Sequence, residues 1–80
     1  MQETRAELEK QIIKMIANVI ELQQENLNVN SKLSDLQIDS IDLFEIINNI
    51  EEAYNISITG YEISRIETIQ DIINYVEGIY

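Results

Sequence analysis

The chain contains no cysteine, no histidine and no proline, and only two of its 80 residues are glycine. Without cysteine it can form neither disulfides nor thiolate metal sites. Without histidine it lacks the commonest metal ligand and the usual general base at neutral pH. These absences exclude histidine-activated catalysis and the common transition-metal centres.

Basic residues are also scarce. Five lysines and arginines stand against fifteen aspartates and glutamates, which gives a net charge of -10 and a pI near 4.1. Nucleic acids and anionic lipids are bound mainly through lysine and arginine, so neither is expected as a partner. The expected partners are proteins that present basic patches.

Long apolar runs are missing as well. No segment approaches the roughly 20 apolar residues that span a bilayer, and the first residues do not resemble a signal peptide. We therefore expect a cytoplasmic protein without membrane insertion. Residues 1–80 are expected to form a single domain and a monomer, since 45% hydrophobic content can fill one small core and no repeat or linker divides the chain.

Apolar residues recur at three- and four-residue spacing in three segments, which predict helices over about 4–22, from 39 to 54, and from 68 to near 78. Residues 61–66 are long enough for one or two turns only. Residues 23–38 lose the periodicity and predict a long first connection, held down by scattered leucine, valine and isoleucine. The predicted fold is all-α, a small antiparallel bundle of three main helices plus one short helix.

Capping residues mark the predicted helix ends. Asp39 is a favourable N-cap for the central helix, and Asn55 can close it in a left-handed conformation. Capping-box patterns begin at Thr4 and at Thr68.

Ser40 lies directly after the predicted cap, in the opening turn, with its hydroxyl near solvent. It could simply help to start the helix, as serine does routinely. It could be a nucleophile, but a lysine would have to act as its base, and a bundle of this size has little room for a pocket. It could also be an attachment point for a group added by another protein.

The surroundings of Ser40 favour a docking surface. Ile41 and Phe44 fall on a different side of the helix from the core stripe, and Asn48 continues that side. Large apolar side chains that stay exposed are typical of interaction sites. The acidic residues around them are Asp39, Asp42 and Glu45.

Asp35, Gln37 and Asp39 have the spacing of the first ligands of an EF-hand calcium loop. The match fails where that loop needs glycine, at Ser40, and where it needs glutamate, at Ile46. No metal site is predicted, although weak binding of divalent ions among clustered carboxylates stays open.

The stretch from Asp35 to Asp42, followed by Glu45 and by Ile50-Glu51-Glu52, resembles the phosphopantetheine attachment region of acyl carrier proteins. The likeness extends over the helix lengths, the long first connection and the start of the last helix. It implies that the Ser40 hydroxyl carries 4′-phosphopantetheine, transferred from coenzyme A by a separate, magnesium-dependent phosphopantetheinyl transferase.

A protein of this family is a carrier and not an enzyme. The terminal thiol of the arm holds acyl or aminoacyl groups as thioesters for partner enzymes, here most simply in fatty-acid or polyketide synthesis. A peptidyl or D-alanyl carrier with the same fold, or an unmodified acidic interaction bundle, are the alternatives.

The resemblance also implies roles for individual residues. Asp39 and Ile41, on either side of the attachment residue Ser40, would be cofactor-binding residues. The surface of this chain that binds the transferase and the acyl-transferring enzymes would comprise Asp39, Ile41, Asp42, Phe44, Glu45, Asn48, Glu51 and Glu52. An acyl chain would lie between the helices near Ile46, Ile47, Ile50 and Ile66.

One departure concerns the backbone before the serine. Gln37 stands where the family often has glycine, so the local backbone is expected to differ if this position needs a positive φ.

Overall fold

The computed structural model describes residues 4–79, and these form a small helical bundle. The elements are α1 (Arg5–Ile20), a 3₁₀ turn (Gln24–Asn26), α2 (Ser40–Tyr54), α3 (Gly60–Ile63) and α4 (Ile69–Ile79). The predicted class, with three main helices and one short helix, is confirmed. The predicted end of α1 near residue 22 is two residues too late, because Glu21 takes a left-handed φ of 59° and its amide bonds to the Ala17 carbonyl.

The predicted caps are present. The Asp39 side chain accepts a hydrogen bond from the Asp42 amide at 2.8 Å, and Asn55 ends α2 with a φ of 55°. At α4 the Asp71 amide donates to the Thr68 hydroxyl, and the Thr68 amide donates to the Asp71 carboxylate, both at 3.1 Å. These bonds satisfy amides that the helix itself leaves unpaired.

The core is built largely from isoleucine on three helices. Its fully buried side chains are Ile12 and Ile16 of α1, Ile46, Ile47 and Ile50 of α2, and Ile69, Ile72, Ile73 and Val76 of α4. Burying one such side chain contributes about 1.5–3 kcal/mol of transfer free energy. This burial outweighs the modest helix propensity of isoleucine.

Two polar contacts define the helix directions. The Tyr54 hydroxyl at the end of α2 donates to Gln11 in the first half of α1 at 2.9 Å. Arg5 at the start of α1 bonds at 3.0 Å to Asn74 in the middle of α4 and pairs with Glu77 near its end. Both α2 and α4 therefore run antiparallel to α1.

The first connection is ordered by its apolar residues, as their distribution predicted. Leu27 and Leu33 are buried. The Leu33 amide donates to the Glu67 carbonyl at 2.8 Å, and Lys32 forms an isolated antiparallel bridge with Thr68. The segment that leads into α2 is thus fastened to the start of α4.

Candidate functional site

Ser40 is the first residue of α2, and its side chain is exposed. Asp39 occupies the cap position and turns its carboxylate toward the Asp42 amide. Within residues 4–79 the Ser40 hydroxyl has no hydrogen-bond partner. It is therefore open to a group brought by another molecule.

The backbone before Ser40 makes a tight turn. Gln37 has a φ of 59°, and its amide donates to the Ser34 carbonyl at 3.1 Å. The next amide, that of Ile38, donates to the Leu33 carbonyl, also at 3.1 Å. The position that departs from the family pattern does have a positive φ, and glutamine adopts it.

A cleft of about 390 Å³ opens beside Ser40, between α2 and the α3 region. Its lining residues are Ser40, Leu43, Phe44, Gly60, Ile63, Ser64 and Ile66. Among the residues expected to receive an acyl chain, Ile66 lines this cleft. Ile46, Ile47 and Ile50 lie instead in the closed core, with at most 2% of their surface exposed.

The exposed side of α2 next to Ser40 combines apolar and acidic groups. Ile41 is 77% exposed and Phe44 is 56% exposed, as their helical positions predicted. Asp39, Glu45 and Asn48 are also exposed, and Asp42 is half-buried. The structure thus brings these residues together on the surface around Ser40.

Comparison with known proteins decides the family. The family model described as "Phosphopantetheine attachment site" matches residues 10–76. The acyl carrier protein of Buchnera aphidicola subsp. Schizaphis graminum is 37% identical over 72 residues, covering 89% of this chain and 91% of that protein. That of Rickettsia canadensis is 31% identical over 75 residues, covering 92% and 87%. The chain belongs to the acyl carrier protein family.

A solved structure has the same fold. The acyl carrier protein from Thermotoga maritima superposes with a TM-score of 0.80 at 23% identity, over 92% of this chain and 87% of that one. The chain is thus a phosphopantetheine-bearing acyl carrier, and the cofactor that the sequence implied is confirmed at the level of the family. Proteins of this family are carriers and not catalysts, and they interact with phosphopantetheinyl transferases and acyl-transferring enzymes.

The two glutamates of the expected partner surface near the end of α2 differ in their exposure to solvent. Glu52 is exposed, whereas Glu51 is half-buried. One Glu51 carboxylate oxygen accepts a hydrogen bond from the Ile58 amide at 2.7 Å. Glu51 therefore holds the carrier's own backbone, and less of its carboxylate is free for a partner.

Apart from Ile66, the far wall of the Ser40 cleft was not identified from the sequence. Gly60 and Ser64 belong to the α3 region, which begins at a capping box. The Glu62 amide donates to the Thr59 hydroxyl at 3.2 Å, and that hydroxyl donates to the Glu62 carboxylate at 2.9 Å. A threonine followed three residues later by glutamate was the available signal for this helix start.

Glu62 also bonds to α4. The Tyr75 hydroxyl donates to the Glu62 carboxylate, which raises the pKa of Tyr75 to about 12. The same hydrogen bond, with that from Thr59, lowers the pKa of Glu62. Each effect arises because the bond favours protonated tyrosine and ionised glutamate. The pair fastens the far wall of the cleft to α4.

In the α3 region, the Arg65 guanidinium donates to the Tyr61 hydroxyl at 3.3 Å and lies 5.7 Å from the centre of its ring.

Across residues 4–79, no three carboxylates come together as a metal site. Over the same range no helix is both long enough and apolar enough to cross a bilayer.

Proposed function

We propose that Ser40 is the residue of this acyl carrier to which phosphopantetheine is attached. The observation that supports this most directly is the exposed, unbonded hydroxyl of Ser40 at the first residue of α2, at the edge of the cleft. Ser64 also lines the cleft, but its hydroxyl donates to the Tyr61 carbonyl at 2.6 Å. Of these two serines that line the cleft, Ser40 is the one whose hydroxyl has no hydrogen-bond partner in the described part of the chain.

The attachment reaction uses Ser40 as the nucleophile. Its Oγ forms a bond to the phosphorus of coenzyme A that carries the pantetheine arm, and the bond from that phosphorus to the adenosine bisphosphate breaks. The hydroxyl proton passes to a base of the transferase, since the carrier has no histidine to accept it. When attached, the group supplies a terminal thiol that holds acyl groups as thioesters.

The cleft fits an extended chain. Leu43, Phe44 and Ile63 give it apolar walls, and Ser40 and Ser64 add hydroxyl groups. Walls of this kind suit aliphatic segments, while hydroxyls and exposed backbone suit the amides of the arm. Because Ile46, Ile47 and Ile50 of the core beneath it are buried, we expect a bound acyl chain to enter past Ile66.

We further propose that the Ser40 side of α2 docks on partner enzymes. Its exposed apolar residues, Ile41 and Phe44, would form the centre of the contact, with acidic side chains at the rim. The rim residues would be Asp39, Asp42, Glu45 and Glu52, with Asn48 between them and Glu51 contributing less. A net charge of -10 would steer the carrier toward basic patches, so that docking is fast, weak and sensitive to salt.

For the cargo we propose acyl groups of fatty-acid or polyketide type synthesis, in the cytoplasm. The support is the resemblance over nearly the whole chain to bacterial proteins named acyl carrier protein.

Intact mass spectrometry tests the assignment of Ser40. The carrier is incubated with coenzyme A, magnesium and a broad-specificity phosphopantetheinyl transferase, beside the variants Ser40→Ala and Ser34→Ala. Ser34 is an exposed serine of the preceding connection and serves as the matched control. One added phosphopantetheine on the wild type and on Ser34→Ala, with none on Ser40→Ala, is expected. Modified Ser40→Ala would overturn the site, and an unmodified wild type with several transferases would overturn the proposed function.

A further inference from the structure

The backbone at Gln37 differs in its setting from the other left-handed positions of the described chain. Outside glycine, φ is positive at Glu21, Gln37 and Asn55. Glu21 and Asn55 end long helices, where this conformation is common. Gln37 ends only the single turn that leads into α2, and glycine would adopt the same backbone without strain.

That turn holds Gln37 in a fixed orientation. Leu36 and Ile38 on either side of it are half-buried and pack on the core, whereas Gln37 is exposed. The turn is closed by the hydrogen bond from Ile38 to Leu33, and Leu33 is tied in turn to Glu67. The glutamine side chain is thus presented from a well-anchored backbone, three residues before Ser40.

The carboxamide is available to another molecule. Within residues 4–79 it has no hydrogen-bond partner. The nearest charged residues along the chain are Asp35 and Asp39, whose carboxylates can only accept hydrogen bonds when ionised. Gln37 adds an uncharged group that donates as well as accepts, on a surface that otherwise attracts partners by negative charge.

We propose that Gln37 is a specificity-determining residue for the phosphopantetheinyl transferase, and that its carboxamide forms hydrogen bonds with that enzyme while Ser40 is modified. This inference rests on the proposed role of Ser40. The transferase must bring its reacting groups to Ser40 Oγ itself, so its surface covers the turn before α2. Acyl-transferring enzymes act at the far end of the flexible arm and have less need to contact this turn.

The test compares steady-state kcat/KM for the modification of the full chain by one transferase, using Gln37→Gly, Gln37→Glu and Asn55→Gly. Asn55→Gly is the matched control, because it relieves the same left-handed backbone at an exposed, uncharged residue at the opposite end of α2 from Ser40. Both glycine variants should unfold at or above the wild-type temperature. Losing a hydrogen bond of ordinary strength should reduce kcat/KM about tenfold in Gln37→Gly, mainly through KM.

Gln37→Glu keeps the length of the side chain and removes its donors, so a comparable reduction is expected. The ratio of kcat/KM between the wild type and Gln37→Gly should stay the same at high salt, because the lost contact is uncharged. Modification of Gln37→Gly at the wild-type rate, or an equal reduction in Asn55→Gly, would overturn the inference while leaving Ser40 in place. Failure of the wild type itself to be modified would instead overturn the proposed function.

Discussion

The Glu51 carboxylate accepts a hydrogen bond of 2.7 Å from the backbone amide of Ile58, seven residues further along the chain. The Glu51 carbonyl also accepts from the amides of Asn55 and Ile56 as α2 ends. One residue thus fixes the path of the chain from α2 to α3. Because α3 forms the far wall of the Ser40 cleft, this contact helps to set the width of the cleft.

Glu51→Ala should lower the free energy of unfolding by about 1–3 kcal/mol, because it leaves the partly buried Ile58 amide without its acceptor. Glu52→Ala is the matched control, since its neighbouring side chain is exposed. Its effect should stay within about 0.5 kcal/mol. Urea denaturation at neutral pH measures both, and equal small effects would show that the Glu51 bond contributes little.

Ile47→Ala should lower the free energy of unfolding by about 2–5 kcal/mol, because it leaves a cavity in the core. Ile41→Ala removes the same atoms from a side chain that is 77% exposed, and should scarcely change stability. The same denaturation experiment compares the two variants. A harmless Ile47→Ala would mean that the buried face of α2 has been misassigned.

The helix stripes and caps could be predicted because they depend on near neighbours in sequence. Asp39 with Asp42, and Thr68 with Asp71, bond across three residues, so their pattern is visible in the sequence itself. The role of Glu51 could not be predicted in this way. A glutamate on the polar side of a helix looks solvent-exposed, and only the path of the chain after Asn55 brings the Ile58 amide to it.

The site was predictable to a similar degree. The exposure of Ser40, Ile41 and Phe44 followed from helical periodicity and the position of the cap. The cleft beside Ser40 did not, because its second wall comes from α3, whose single turn gives too short a periodic signal. The sequence showed that Gln37 stands where the family often has glycine. Only the backbone geometry shows that its φ is positive.

Glu45→Lys should slow association with an acyl-transferring enzyme at low ionic strength, because it reverses a charge on the proposed docking surface. Glu25→Lys makes the same change of net charge at an exposed residue of the 3₁₀ turn, away from α2. Stopped-flow association at several salt concentrations separates them. An effect on the association rate that is as large for Glu25→Lys would indicate that net charge matters and this surface does not.

Alkaline pH should reduce the amount by which the wild type is more stable to unfolding than the Tyr75→Phe variant. The pKa of Tyr75 is raised in the folded carrier from 10.0 to about 12 by its bond to Glu62. A raised folded-state pKa stabilises the fold fully below pH 10, and this contribution is lost as the pH rises toward 12. Denaturation midpoints across this range should converge for the two proteins, and a constant difference would argue against the bond.

The hydrogen bond between Leu33 and Glu67 has a consequence for folding order. It joins the two halves of the chain across α2 and α3, so the entropy of closing that long loop is lost before the contact can form. Local hydrogen bonds close α1, α2 and the turn before Ser40, whereas the bond from Leu33 to Glu67 needs the two halves of the chain to come together. We therefore expect native-state hydrogen exchange at the Leu33 amide to report the assembly of the whole domain, and not the formation of a single helix.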